Sequence, residues 1–164
     1  MKSAWLPKLE QFLKSSGLIR LHPESVEPTA RVAVEAMAGL PHYDEIWAGD
    51  LHTTLQIVAI ASGERIPGVE FARRAQLLRE RAVSMSARVR GEVQALQLAL
   101  YERPVSPEER DFVVEKARFT PRWPLAIGRV ATWVVALAEP ALYAGPFRGW
   151  PDELSADQIR ALLG

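Results

Sequence analysis

The chain has 164 residues, and its 20 Lys and Arg balance its 20 Asp and Glu, so the formal net charge at pH 7 is zero. This length suits one domain, and the neutral balance does not favour the strongly basic surface of many nucleic-acid-binding domains. Because cysteine is absent, disulfides, thiolate metal sites and a cysteine nucleophile are excluded.

The N-terminus contains no apolar stretch of signal-peptide length before the charged residues Lys8 and Glu10. We therefore expect a cytoplasmic protein, which also fits the absence of cysteine. Arginine outnumbers lysine by 16 to 4, and asparagine is absent. High genomic G+C content would give the arginine bias, whereas the absence of asparagine and cysteine, together with twelve prolines, is typical of heat-adapted proteins, so a thermophilic source is one interpretation.

Two short helices are predicted in the N-terminal part. Residues 4–14 place Trp5 and Leu9 on one face, which is typical of an amphipathic helix. A second helix begins near Pro28, a residue type favoured at the first helical position, and ends before Gly39.

Residues 43–62 fit two structures. A helix would align Trp47 and Leu51 on one face. The alternative is a hairpin over residues 53–66, because this stretch is rich in β-branched residues and has a turn signal near Gly63. We favour the helix, since a two-stranded ribbon would be only marginally stable in a helical domain, and leave the hairpin as the alternative.

The strongest periodic signal lies in residues 69–101. The apolar residues recur every three or four positions, with an average close to the 3.6-residue repeat of a straight α-helix. The sequence therefore predicts one long helix with a single buried stripe that crosses Gly91 in register. The stripe consists of Phe71, Ala75, Leu78, Ala82, Met85, Val89, Val93, Leu96 and Leu100.

Two capping signals predict later helices. Ser106 and Pro107 are typical of an N-cap and a first helical residue, and Glu109 completes a capping box. A second capping box begins at Ser155 and predicts a last short helix.

Residues 124–138 are apolar at nearly every position, which is typical of a helix buried on all sides. We do not expect a membrane span here, because Arg129 and Glu139 would be costly within a bilayer.

These elements together predict an all-α fold. We expect a single-domain bundle, residues 1–164, of six or seven helices around the long central helix (69–101) and the buried apolar helix (124–138). No internal repeat of 20–50 residues is found, which supports one domain.

Three arginines, Arg74, Arg81 and Arg88, stand seven residues apart along one flank of the predicted long helix. A row with spacings of about 10 Å could meet an acidic partner protein or the phosphates of a nucleic acid. Alternatively the arginines pair within the fold, since Glu70 lies four residues before Arg74 and Glu92 four residues after Arg88. We predict that the three arginines bind a partner protein, with nucleic acid as the alternative.

Two further positions are candidates for chemistry. Arg129 is the one charged side chain in the predicted helix 124–138, and a buried guanidinium requires a partner, either another part of the chain or a ligand. His52 and Glu45 would share a polar flank of a helix over 43–62 and could bind a metal or transfer a proton. Their spacing does not match a helical metal-binding motif, so no metal site is predicted.

We therefore predict a non-catalytic protein–protein interaction module, a small subunit or adaptor that docks its partner through the arginine-flanked helix. The alternatives are a nucleic-acid-associated helical subunit, and a small-molecule-binding bundle or enzyme with a site near Arg129 or His52. No catalytic residue, metal or cofactor is predicted, because no nucleophile is paired with a base and no Gly-rich phosphate loop is present. A homo-oligomer is left open.

Overall fold

The computed structural model describes residues 2–22, 24, 28–38, 40, 43–64, 66–89, 91–119 and 128–164. Its central feature is a six-stranded mixed β-sheet with helices packed on both faces. The prediction of an all-α helical bundle is therefore wrong. The described part of the chain combines α-helices with one β-sheet.

The described residues form five α-helices, six strands and a short 3-10 helix at Asp152–Leu154. In chain order the elements are α1 (Lys2–Ser15), β1 (Ile19–Arg20), α2 (Pro28–Met37), β2 (Glu45–Leu51), β3 (Thr54–Ser62), α3 (Gly68–Val89), β4 (Val93–Tyr101), α4 (Pro107–Lys116), β5 (Arg129–Ala136), β6 (Ala141–Tyr143) and α5 (Ala156–Ala161).

The strands lie side by side in chain order from β1 to β6. The three central strands β3, β4 and β5 are parallel, and α3 and α4 lie in the two connections between them. Parallel neighbours require such long crossovers, whereas the antiparallel pairs β1–β2, β2–β3 and β5–β6 do not.

The predicted helix 69–101 is in fact two elements. Helix α3 ends at Val89 and strand β4 begins at Val93, so the helix stops next to Gly91. All nine residues of β4 are buried, because helices cover both faces of the sheet. A strand buried on both faces is apolar at nearly every position, and periodicity alone does not distinguish it from a buried helix. The prediction of one continuous helix fails for this reason.

The predicted buried helix 124–138 is also wrong for the residues that the structure describes. Strand β5 occupies Arg129–Ala136 and is buried at every position except the first. The same ambiguity between a buried strand and a buried helix explains the error. Residues 120–127 lie outside the described residues. Among the helices that the structure describes, none is both long enough and apolar enough to cross a membrane.

Strands β2 and β3 form an antiparallel hairpin, so the favoured helix over 43–62 is wrong. The turn consists of His52 and Thr53, with φ angles of 52° and 66°. Positive φ at both central residues matches the twist of the two strands that the turn connects. The alternative hairpin over 53–66 agrees with strand β3 but places the turn near Gly63, at the wrong end of that strand.

Two apolar layers flank the sheet. Helices α2, α3 and α4 pack on one face, and α1 and α5 pack on the other. Side chains alternate between the faces along each strand. In β4, for example, Val93 and Ala95 contact the α3 layer, whereas Leu96 and Leu98 contact the α1 layer.

The local helix predictions are confirmed, since α1, α2, α4 and α5 lie where the sequence places helices. The Ser106 hydroxyl accepts a hydrogen bond from the Glu109 amide at 3.1 Å, with Pro107 next to the cap. The Ser155 hydroxyl accepts one from the Gln158 amide at 3.3 Å. Such caps join residues three apart in the chain, so the sequence predicts them well.

Candidate functional site

Arg74 lies in the interior rather than on a free helix surface. Only 3% of the residue is exposed, and its Nε lies 3.4 Å from a carboxylate oxygen of Glu70. The guanidinium also lies 5.6 Å from the ring centroid of Tyr43 and 5.8 Å from that of Phe71. Arg74 therefore packs between α3 and the start of β2.

Glu70 binds two arginines of its own helix. Arg73 donates to both carboxylate oxygens, from Nε at 2.8 Å and from Nη2 at 2.5 Å. Hydrogen bonds from Arg73 and then from Arg74 lower the pKa of Glu70 to about 2. The carboxylate is therefore ionised near neutral pH and pairs with Arg74 there.

The other two arginines of the predicted row differ from each other. Arg88 donates from Nη2 to the Glu35 carboxylate of α2 at 2.6 Å, and both side chains are about half exposed. Arg81 is exposed, and no ion pair to it is found among the described residues. The three arginines thus do not form one continuous free surface, because α2 and the start of β2 pack along this side of α3. The predicted docking through them stays a prediction.

Arg129 contacts partners within its own chain. Its Nε lies 3.6 Å from a carboxylate oxygen of Glu92, and its Nη1 donates to the Arg148 carbonyl at 2.9 Å. Gly149 lies directly against this guanidinium, since a Cβ placed on the glycine would lie 2.7 Å from Nη1. These contacts fix the loop around residue 148 next to the N-terminal ends of β4 and β5.

His52 and Glu45 lie at opposite ends of strand β2 and therefore do not form a site together. His52 lies in the β2–β3 turn, where its Nε2 is 2.5 Å from a carboxylate oxygen of Glu153, and both side chains are exposed. Glu45 lies at the far end of β2 and is buried. No group of three His, Asp or Glu that could hold a metal ion is found within the described ranges.

A cavity of about 360 Å³ opens at the edge of the sheet, between α2 and the start of β2. Mostly apolar side chains form its wall: Leu21, Val34, Met37, Ala38, Tyr43 and Ile46. Charged and titratable residues also line it: Arg20, His22, Asp44 and Glu45.

The cavity lies next to the end of β1. Only two residues of β1 pair with β2, and the next backbone hydrogen bond runs from the Leu21 amide to the Ile46 carbonyl at 2.8 Å. From Ile46 back to the start of β2 at Glu45, no further strand pairs with the outer side of β2 among the described residues. Helix α2 packs against the sheet through Ala33 and Met37, and Met37 also lines the cavity.

Tyr43 contributes its ring to the cavity wall, while its hydroxyl is bonded to the core. The hydroxyl donates to Oε1 of Gln97 at 2.6 Å, and Gln97 is fully buried in β4. Burial raises the pKa of Tyr43 far above its ordinary value, so the hydroxyl remains protonated and acts as a donor. The cavity is therefore in contact with an aromatic surface rather than with a free hydroxyl.

The Glu45 carboxylate is occupied within the protein. Trp47 donates from Nε1 to one of its oxygens at 2.9 Å, and Nη1 of Arg20 lies 3.4 Å from the other. A hydrogen bond with Glu45 also raises the pKa of Glu10 on α1. Asp44, which is exposed, is the second carboxylate among the lining residues of the cavity.

The sequence did not indicate Tyr43 or Asp44 as site residues. The cavity combines three segments, 20–22, 34–38 and 43–46, which approach one another only through the packing of α2 and the β2–β3 hairpin. No periodicity or motif within one segment marks that arrangement.

Comparison with known proteins finds no matching family model, curated protein or solved structure.

Proposed function

We propose that this chain binds a small organic molecule in the cavity at the edge of β2. The observation that supports the proposal is a mostly apolar, concave space that also contains a few titratable side chains. Binding sites for small molecules typically have this character, with volumes of about 300–1,000 Å³. The cavity, at about 360 Å³, falls within that range.

The lining favours an amphipathic ligand. Val34, Met37 and Ile46 offer contacts to an apolar body, and Asp44 offers an exposed charge to a polar group. The proposal is one of binding: the hydroxyl of Tyr43, the one hydroxyl group among the described lining residues, is bonded to Gln97 and is therefore not a free nucleophile.

Three probes that share one ring test the proposal: cyclohexylamine, cyclohexanol and cyclohexanecarboxylate. Each is titrated into the ¹⁵N-labelled protein, and amide chemical shifts are followed by NMR. We expect saturable shifts in residues 34–38 and 43–46, largest with the amine because the lining contains two carboxylates, Asp44 and Glu45, against one arginine, Arg20. If none of the three probes shifts these residues, the proposal is overturned.

A filled cavity provides the control. Ala38 is exposed and lines the cavity, so Ala38→Trp places a large ring there without disturbing the core. Ala87→Trp adds the same ring at an exposed position of α3. We expect the shifts to disappear in A38W and to remain in A87W.

Docking of a protein partner through α3 is a second proposal. It involves Arg81 alone, whereas the sequence predicted docking through Arg74, Arg81 and Arg88. Arg81 is exposed on α3, and Leu77, an apolar side chain that is partly exposed, lies one helical turn before it on the same face. Arginine next to apolar surface is typical of protein interfaces. Nucleic-acid binding through the same helix stays a prediction.

The change Arg81→Gln tests this second proposal by capture of partners from lysate. Arg148→Gln, at an exposed arginine outside α3, is the matched control. Capture should fall in R81Q alone, and undiminished capture would remove the basis of the docking proposal.

A further inference from the structure

Tyr43 lies one residue outside the hydrogen-bonded ladder that holds β2. The outermost backbone bond of this pair runs from the Asp44 amide to the Ile60 carbonyl at 2.8 Å. The placement of Tyr43 therefore depends on its side chain. Its hydroxyl bonds to Gln97 at 2.6 Å, and the Arg74 guanidinium lies over its ring.

The amide of Gln97 has one possible orientation. Its Nε2 donates to the Phe71 carbonyl at 3.2 Å and to the Thr132 hydroxyl at 2.9 Å. A carbonyl only accepts, so a reversed amide would set two acceptors against each other at Phe71. The Oε1 of Gln97 must therefore face Tyr43 and accept a hydrogen bond from its hydroxyl.

The amide of Gln97 occupies a core position where an apolar side chain would need no hydrogen bonds. Gln97 is 0% exposed in the central strand β4, and burial of an amide is unfavourable unless its hydrogen bonds are made. A fully bonded network in a core specifies one arrangement of its members. Tyr43 is the residue of this hydrogen-bond network that lines the cavity.

We infer that Gln97 is a positioning residue for the ligand cavity. Its side-chain carbonyl fixes the ring of Tyr43 as a wall and thereby sets ligand affinity without contact with the ligand. This inference rests on the proposed binding function and adds to it that the core of the sheet determines the shape of the site.

Cyclohexylamine titrations of variants test the inference. Gln97→Met and Tyr43→Phe each remove the same hydrogen bond, and each should weaken binding about fivefold, the equivalent of one ordinary hydrogen bond. The double variant should bind no more weakly than either single variant, because both changes remove one shared interaction. Tyr43→Phe keeps the ring, so it serves as the test if Q97M does not fold.

Thr132→Val is the matched control. It removes the hydrogen bond from Gln97 to the Thr132 hydroxyl and the one from that hydroxyl to the Ala117 carbonyl, and it leaves the bond to Tyr43 in place. Binding should stay within about twofold of the wild type, although the loss of two buried hydrogen bonds lowers stability. Equal weakening in T132V, or additive weakening in the double variant, would show a general loss of stability and overturn the inference.

A measurement without ligand separates this inference from the proposed function. The chain has three tyrosines, so the ring signals of Tyr43 can be followed by NMR in the free protein. The signals should shift in Q97M and remain in place in T132V. If the wild type binds no probe but the Tyr43 signals shift in Q97M and not in T132V, the positioning contact stands and the binding proposal alone fails. If the Tyr43 signals do not shift in Q97M, the inference is overturned.

Discussion

The contact between Gly149 and Arg129 gives a prediction whose size follows from the structure. Gly149 has a φ of +80°, and an added Cβ would lie 2.7 Å from Nη1 of Arg129 and 3.1 Å from Nε2 of Gln94. Gly149→Ala therefore brings two costs. A side chain in the left-handed region costs roughly 1–2 kcal/mol. Displacement of the guanidinium from the Arg148 carbonyl removes a charged hydrogen bond of about 1.5–3 kcal/mol.

We expect G149A to lower the free energy of unfolding by about 2–4 kcal/mol, since the flexible Arg129 side chain relaxes in part. For a chain of this length that corresponds to a fall in Tm of roughly 5–15 °C. Calorimetry and urea unfolding measure both quantities.

Gly17→Ala is the matched control for that variant. Gly17 has a φ of +91°, and an added Cβ would meet only the Leu51 side chain, at the ordinary contact distance of 3.8 Å. It therefore carries the backbone cost of about 1–2 kcal/mol without the displaced arginine. If the two variants lose equal stability, the contact of Gly149 with Arg129 contributes nothing and the reasoning is refuted.

Three further predictions concern stability. The pKa of Glu70 is about 2 in the folded protein against an ordinary value of 4.5, so the stabilisation by its ion pairs is present above pH 4.5 and is lost as the pH falls towards 2. In urea unfolding, the stability difference between the wild type and Glu70→Gln should therefore vanish over that range, and a difference independent of pH would contradict the assignment. Gly63→Ala would force a Cβ against the fully buried ring of Tyr101 and should cost about 1–3 kcal/mol or more in urea unfolding; a neutral result would mean that this ring is free to move. Ser106→Ala removes the N-cap of α4 and should cost about 1 kcal/mol, whereas Ser106→Asp should keep most of the stability.

The candidate site shows which kind of information the sequence lacked. Arg129 was predicted to need a partner, but the structure supplies that partner from Glu92 and Arg148, which approach only through sheet formation and loop closure. Tyr43 shows the same limit, because its bond to Gln97 joins residues 54 positions apart. Neither contact leaves a trace in local spacing.

The sequence by itself determined the features that depend on near neighbours. The cap of Ser106 on α4, the amphipathic face of α1 and the absence of disulfides follow from residues a few positions apart or from composition alone. Only the tertiary structure decided that 93–101 and 129–136 are strands. Both are buried on two faces, which removes the alternation that would otherwise mark a strand, and their hydrogen-bond partners come from distant parts of the chain. The same packing placed Arg74 in the interior and opened the cavity beside β2.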